Sequence, residues 1–418
     1  KMPEEGILLP KNPASKTRIF FELREALEKK EPLFVEGISD SLKSLLALGF
    51  RGKWILYLCK TEERAKEILQ DGKIFAENCL LFPAKDYLFY KADTRGNYIS
   101  RERSECLRQL VEEEEGVLVT TLPAMLEKLE GKNAFRQAVF TVQLGQTLSL
   151  ESLQDSLHSL GYQRVDQVES RGEYSLRGGI LDVFSNQMEE PLRIEFFDDE
   201  VDSLRYFSLE SQRSLEQVEE ANIYPVSEQG KPSSLKAFSL LDYLPKDCLV
   251  IVDEPVRVLE EGKRVEEEFI AYFSQRAETN LVEDKAISKK KGVKGRRNAE
   301  DGINSILESE NREKDQRPLD LFSVRTPLEE CASRPIFFFS SLGGISEWSE
   351  VFKEPLKSIS LECREIPFYG KQFSQFKGDM EKYKKEKVRI SLYSPSQSRA
   401  SRLAEELRQE GLSAYCPD

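Results

Sequence analysis

The sequence predicts an α/β protein: a largely parallel sheet covered by helices, an inserted mostly-β α+β domain, and a small C-terminal α/β domain. Before residue 130, apolar runs of strand length alternate with stretches of helix length, which implies parallel strands with helical crossovers. Between Arg171 and Arg213 the apolar positions recur every second residue, the period of strands with one buried face. The chain has 418 residues, too many for one core, and about 100–200 residues per domain suggests three or four units. The spans read as 1–137 (first part of the sheet lobe), 138–225 (inserted domain), 226–365 (rest of the lobe, with a charged helical or loop insertion) and 366–418 (small α/β domain).

The first element is the apolar strand Leu33-Phe34-Val35, followed by G-I-S-D-S-L-K-S from Gly37 to Ser44 and the apolar run Leu45 to Leu48. Strand, loop and helix in that order is the context of a phosphate-binding loop, and the spacing G-x-x-x-x-G-K-[ST] is met at Gly37, Lys43 and Ser44. Leu42 stands where the second glycine belongs. That glycine lets backbone N–H groups close around phosphates, and a leucine side chain occupies the same space, so the site reads as dead. Further on, Leu249 to Val252 is an apolar strand ending in Asp253 and Glu254, the form that holds Mg²⁺ in P-loop ATPases. Such a strand is weak evidence alone. Paired with the loop, it indicates a degenerate helicase-type, P-loop-like lobe whose relic nucleotide site is Gly37, Leu42, Lys43, Ser44, Asp253 and Glu254.

The spacing predicts a strand over Trp54 to Cys59, a helix over Thr61 to Leu69, a strand over Val117 to Thr121 and a helix over Leu122 to Leu129. Leu81 to Ile99 carries Tyr87, Phe89, Tyr90 and Tyr98, which could stack bases, although plugging a domain surface is the stronger reading. The inserted domain opens with a helix over Leu150 to Leu160. In it Leu181 and Val183 alternate with Asp182 and Phe184, and Leu192, Ile194 and Phe196 with Arg193, Glu195 and Phe197. Asp198-Asp199 and Gly178-Gly179 mark turns. A strand showing Arg, Glu and an extra Phe to solvent suits a partner, the alternative being a plain solvated face.

Beyond it the pattern predicts a helix over Ser234 to Leu244, a charged helical run from Pro255 to about Gln275 and a buried strand over Arg334 to Leu342 that closes the lobe. The one basic cluster, Ser288 to Arg297, could touch DNA phosphates, but its glycines fit a mobile loop better. The last domain reads as a helix over Phe376 to Lys385, a strand over Val388 to Tyr393, and an amphipathic helix with Ala400, Leu403, Ala404 and Leu407 on one face.

Composition excludes several functions. Lys+Arg 61 against Asp+Glu 74 gives a net charge of −13, which opposes a wholesale electrostatic grip on DNA. The 7 cysteines are scattered without a C-x-x-C, against a disulfide framework or a zinc site and in keeping with a reducing cytoplasm. His158 is the only histidine, so no His-dependent triad or multi-imidazole metal centre exists. No signal peptide or long apolar run predicts a membrane span.

R-G-E-Y-x-x-R-G-G-I-L-D-V-F, then P-x-R-I-E-F-F-x-D-E-V-x-S-x-R-x-F and Q-R-S, resembles the second domain of the bacterial excinuclease protein UvrB and of transcription-repair coupling factors. F-P-A-K-D-Y-L-F-Y-K-A-D-x-x-G-x-x-I-S-R-E-R resembles the coupling factors, and this segment is too short for the tyrosine-rich hairpin of UvrB. The resemblance covers nearly the whole sequence. It implies an N-terminal module that recruits the excinuclease protein UvrA to a stalled RNA polymerase in transcription-coupled nucleotide excision repair. Arg164, Arg177, Phe184, Arg193 and Glu195 would lie on or near the docking surface. It implies no catalytic residue, metal or cofactor here. ATP and Mg²⁺ would serve a DNA-translocase motor elsewhere in the parent protein, and RNA polymerase and DNA would be met through other regions. In the family a C-terminal domain masks this face, so the present chain is expected to dock without activation. The alternative is a UvrB-like damage-loading ATPase, against which Leu42 and the missing hairpin both count. A third reading is an interaction module of unrelated function.

Overall fold

The computed structural model describes residues 12–76, 78–85, 93–186, 188–226, 238–271, 321–352, 356–363, 367, 369, 373–388, 390–394 and 396–416. Its strands are β1 (Leu33–Glu36), β2 (Trp54–Cys59), β3 (Cys79–Phe82), β4 (Gly116–Thr121), β5 (Phe140–Gln143), β6 (Gln163–Arg164), β7 (Glu173–Arg177), β8 (Ile180–Phe184), β9 (Leu192–Phe197), β10 (Glu200–Phe207), β11 (Ser214–Gln217), β12 (Glu220–Ile223), β13 (Leu249–Asp253), β14 (Ile336–Ser340) and β15 (Lys357–Ser360). The helices are α1 (Arg18–Lys29), α2 (Asp40–Ala47), α3 (Glu62–Phe75), α4 (Asp93–Glu112), α5 (Leu122–Met125), α6 (Lys132–Gln137), α7 (Leu150–Ser159), α8 (255–271), α9 (Arg325–Ala332), α10 (Phe373–Lys385) and α11 (Gln397–Gln409).

Seven strands form one parallel sheet in the order β15-β1-β14-β13-β2-β4-β3. Its interior strands are apolar on both faces because helices cover both. Ile55, Tyr57, Phe337 and Phe339 pack with Phe20, Leu23 and Leu46 of α1 and α2. Leu56, Leu58, Val252 and Phe338 pack on the other side with Leu107 and Leu110 of α4, Val258 and Leu259 of α8, and Trp348. All carboxyl ends therefore lie at one edge, where Glu36, Asp253 and Ser340 end β1, β13 and β14.

Between β4 and β13 the chain builds a second sheet, β11-β10-β9-β8-β7-β6, with α7 on its apolar face. The strands from β7 to β11 are antiparallel neighbours, and β5 pairs separately with β12. Both expected turns form. Gly178 has φ +62° between β7 and β8, and Asp198 has φ +54° between β9 and β10. The two sheets are tied beside α4, where the Ser104 hydroxyl donates to Pro225 O at 3.1 Å and the Tyr224 hydroxyl to Glu112 Oε1 at 3.0 Å.

Several expected elements differ. The helix expected over Leu122 to Leu129 ends at Met125, because Glu127 and Leu129 pair instead with Leu321 and Phe238. Of the helix expected over Ser234 to Leu244, the described part is a 3₁₀ turn, Leu240–Tyr243, held by a capping box from Ser239 and Asp242. The phenylalanine strand β14 does not close the sheet but lies inside it, between β1 and β13, and β15 forms the edge. Val388 to Tyr393 joins no ladder among its described residues. The Val388 amide donates instead to Tyr383 O (2.9 Å) in a cap on α10, with Lys387 left-handed at φ +58°. Tyr87, Phe89 and Tyr90 and the basic cluster from Ser288 to Arg297 lie outside the described residues.

Gly116 sits where β4 passes Trp54. A Cβ there would meet the indole at 2.9 Å and Asn78 O at 3.0 Å. Gly116→Ala should therefore cost about 1–3 kcal/mol by overpacking, read as a lower urea midpoint at unchanged slope.

Candidate functional site

The loop from Gly37 to Ser44, expected to be a degenerate phosphate site, lies at the carboxyl edge of the seven-stranded sheet. α2 begins at Asp40, with Ser39 as its extended N-cap residue. The amides of Leu42 and Lys43 each donate to Ser39 O at 3.0 Å. A phosphate cradle needs amides between its two glycine positions free to point at the ligand. Of those between the two positions, the Ile38 amide donates to Ser340 O at 3.3 Å, and the Leu42 and Lys43 amides, at and after the second position, are engaged in the helix. Leu42 packs against the core on the α1 and α2 side, so the leucine serves packing where a glycine would serve a ligand. Gly37, at φ +71°, is covered: an added Cβ would lie 2.0 Å from Leu361 O. Leu361 N donates to Glu36 O at 2.9 Å and Cys363 N to Gly37 O at 3.3 Å, so the chain after β15 runs along this loop.

Lys43 is fully buried and turns inward. Its ammonium donates to Asp40 Oδ1 at 2.9 Å, Asp253 Oδ1 at 2.9 Å and Glu254 Oε1 at 2.5 Å. Asp253, also fully buried, accepts from the Tyr57 hydroxyl at 3.1 Å and from Arg64 Nε at 3.0 Å. Glu254 is left-handed at φ +61°, and its carboxylate accepts from Ser341 N at 2.8 Å and Ser340 Oγ at 3.1 Å. Asp40, Asp253 and Glu254 are close enough to ligate a cation, and among them lies the Lys43 ammonium. The Ser44 hydroxyl is turned to backbone oxygens of Asp40 (3.4 Å) and Ser41 (3.3 Å). All six relic-site residues are thus in one place, and the side chains of Lys43, Ser44, Asp253 and Glu254 are engaged with the protein.

Burial opposes charge on Lys43, Asp40 and Glu254, but the ion pairs prevail. Against burial, Asp253, Glu254 and Asp40 hold the Lys43 ammonium above its ordinary value. Against burial, Lys43 holds the Asp40 carboxyl below its ordinary value, and Lys43 with Ser341 does the same for Glu254. Burial, and then the neighbouring Asp253, drive the Tyr57 hydroxyl well up, so it remains a donor.

The second candidate is the face of the six-stranded sheet opposite α7. Asp182 of β8 points to this face yet is only 2% exposed, because arginines close over it. Arg193 donates through Nε to Oδ1 at 2.6 Å and through Nη2 to Oδ2 at 2.8 Å, and Arg177 Nη2 donates to Oδ2 at 2.8 Å. The Arg193 guanidinium also lies 4.2 Å above the Phe207 ring centre. Its hydrogen bonds to Asp182, against a smaller effect of burial, raise its pKa. Glu195 is ion-paired with Arg205 of the neighbouring strand. The Arg177 side chain remains half exposed, at 50%, against 15% for Arg193. Ile180 (37% exposed) and Phe197 (73%) flank it at the turn end of the face.

The five expected docking residues therefore differ in kind. Arg177, Arg193 and Glu195 share one face. Arg164 lies on the edge strand β6 in register with Tyr174, whose ring is in the core, and reaches Gln154 of α7 at 3.4 Å. Phe184 is not a solvent-facing anchor: it is buried, with the Arg171 guanidinium 5.1 Å from its ring centre. Sequence alternation missed Asp182, which it assigned to a solvated side. The signal was Arg177 and Arg193 at positions that pairing brings beside Asp182.

Comparison with known proteins gives the same division. The model of the UvrB interaction domain matches residues 140–228. The Bacillus subtilis (strain 168) transcription-repair-coupling factor is 23% identical over 459 aligned residues, which take in 95% of this chain and 36% of that protein. The Escherichia coli (strain K12) transcription-repair-coupling factor is 35% identical over 163 residues, 39% of this chain and 14% of that protein. One from Staphylococcus aureus (strain USA300) is 33% identical over 155 residues, 37% of this chain and 13% of that protein. The chain thus spans little more than a third of the length of these relatives at most.

Lys43→Met should cost about 3–5 kcal/mol in urea unfolding, the scale for leaving buried acids without their cation. In a working phosphate loop the same change would remove activity and spare stability. The acid limb also has a definite sign. Asp40 and Glu254 have lowered folded values, so their contribution is present above the ordinary carboxylate range near pH 4 and lost as pH falls through the folded values. Lys43, raised, contributes below its ordinary value and loses that contribution only at strongly alkaline pH. Wild-type unfolding free energy should therefore fall below about pH 4, and the deficit of Lys43→Met relative to wild type should shrink there.

Proposed function

Since the chain is a relative of the transcription-repair-coupling factors, we propose that it is a docking module that recruits the excinuclease protein UvrA to RNA polymerase stalled in transcription. The observation that carries this reading is the half-exposed Arg177 beside exposed Ile180 and Phe197, within the residues that match the UvrB interaction domain. Arginine offers a planar fork to a carboxylate, and a neighbouring apolar side chain gains by leaving water. Glu195 and Arg193 share that face, while Arg164 stands at the sheet's edge toward α7 and Phe184 is buried. RNA polymerase and DNA belong to this reading as partners of the whole protein.

In this reading the sheet lobe is a scaffold and not an ATPase. What supports it is the engaged amides of α2, the segment at Leu361 and Cys363 over Gly37, and the Lys43 ammonium among the acids. Bound ATP would have to displace Lys43 from Asp253 and Glu254. The module carries no cofactor of its own and works in the cytoplasm. Among the described residues no helix is long and apolar enough to cross a membrane.

Arg177→Glu should leave unfolding nearly unchanged and weaken binding of UvrA by about 2–5 kcal/mol in calorimetry. Unchanged affinity in a normally folded variant contradicts the assignment of the site. Calorimetry with Mg-ATP should give no heat of binding, whereas micromolar binding that depends on Lys43 would restore the ATPase reading. Duplex DNA should bind weakly, with a shallow salt dependence, because the net charge is −13.

A further inference from the structure

We infer that Asp182 and Arg193 are positioning residues that hold the Arg177 guanidinium ready for an acceptor group on the partner, a carboxylate above all. This rests on the docking reading above and specifies which arginine makes the contact. The two arginines share one buried acid but differ in what remains to them. Arg193 commits Nε and Nη2 to Asp182, leans Nη2 also toward Gln212 Oε1 at 3.4 Å, and lies against Phe207. Arg177 commits only Nη2 to Asp182, and its other N–H groups have no partner among the described residues. Arg193 is therefore a fixed part of the sheet face, and Arg177 is a cation held at one nitrogen with its remaining donors toward solvent.

That arrangement lowers the cost of binding. A free surface arginine loses much rotamer freedom when a partner fixes it, whereas one already held by a buried acid has lost part of it on folding. Asp182 can act this way because it is itself fixed. It is 2% exposed, opposes Arg193 across β8 and β9, and takes a two-pronged bond from that residue. Two cations share the one acid Asp182, while Glu195 is matched by Arg205, so Arg177 has only a share of a counter-charge; Asp198 and Asp199 stand in the adjoining turn. Arg177 pairs across the turn with Ile180, and Gly178 between them has no atom within 4 Å of an added Cβ. The turn is thus open beside Gly178, and the Arg177 side chain is half exposed.

The test is a double-mutant cycle on the whole chain, with affinity for UvrA read by calorimetry and folding checked by urea unfolding. Asp182→Asn keeps shape and removes charge. It should weaken binding by on the order of tenfold in the wild-type background and by less than about twofold when Arg177 is already Ala, since Asp182 acts through Arg177. Equal losses in both backgrounds, or no loss in either, overturn the inference while leaving the docking reading intact, provided Arg177→Ala alone weakens binding. If Arg177→Ala has no effect, the docking reading itself fails. Should Asp182→Asn fold poorly, Arg193→Lys serves in its place. It keeps the charge over Phe207 but loses the two-pronged bond, and the same dependence on Arg177 is expected.

Discussion

The ammonium of Lys43, buried among Asp40, Asp253 and Glu254, is the interaction on which the seven-stranded sheet depends most. It joins the start of α2 to the end of β13, across β14, and it pairs with the buried Asp253, the nearly buried Glu254 and the partly exposed Asp40. Tyr57 and Arg64 complete the group by bonding the other oxygen of Asp253. In a nucleotide-binding sheet these positions answer to phosphate and metal. Here Lys43, Asp253 and Glu254 are bonded to one another.

Ser104, Tyr224 and Pro225 tie the six-stranded sheet to α4, and α4 packs its Leu107 and Leu110 on the larger sheet. The face with Arg177 is presented by a sheet whose own apolar side is closed by α7. The two buried-charge groups share one logic. In each, an acid inside the protein is held by two or more cations, and the difference lies in what is left over: at Lys43 the ammonium is wholly enclosed, and at Asp182 one arginine still reaches solvent.

Much of this was legible in the sequence, and the exceptions have physical causes. The strand from Trp54 to Cys59 forms as expected because six buried residues in a row admit little else between helices. Gly178 and Asp198 announced their turns because the turns need positive φ, which Gly and Asp tolerate. Leu42 shows in the sequence as a departure from the phosphate-loop pattern, whereas the start of α2 at Asp40 is not encoded in a motif. Val388 to Tyr393 has the composition of a strand. Composition cannot tell that its first amide caps the preceding helix. Asp182 and Phe184 misled for another reason: alternation assigns a face and does not say whether long arginines from neighbouring strands will cover it.

Hydrogen exchange of the chain with and without UvrA tests the central claim most directly. The account predicts slowed exchange at the two turns that border the docking face, residues 177–180 and 197–199, and no change at the closed loop, residues 37–43. Slowed exchange at the loop with both turns unchanged would contradict it.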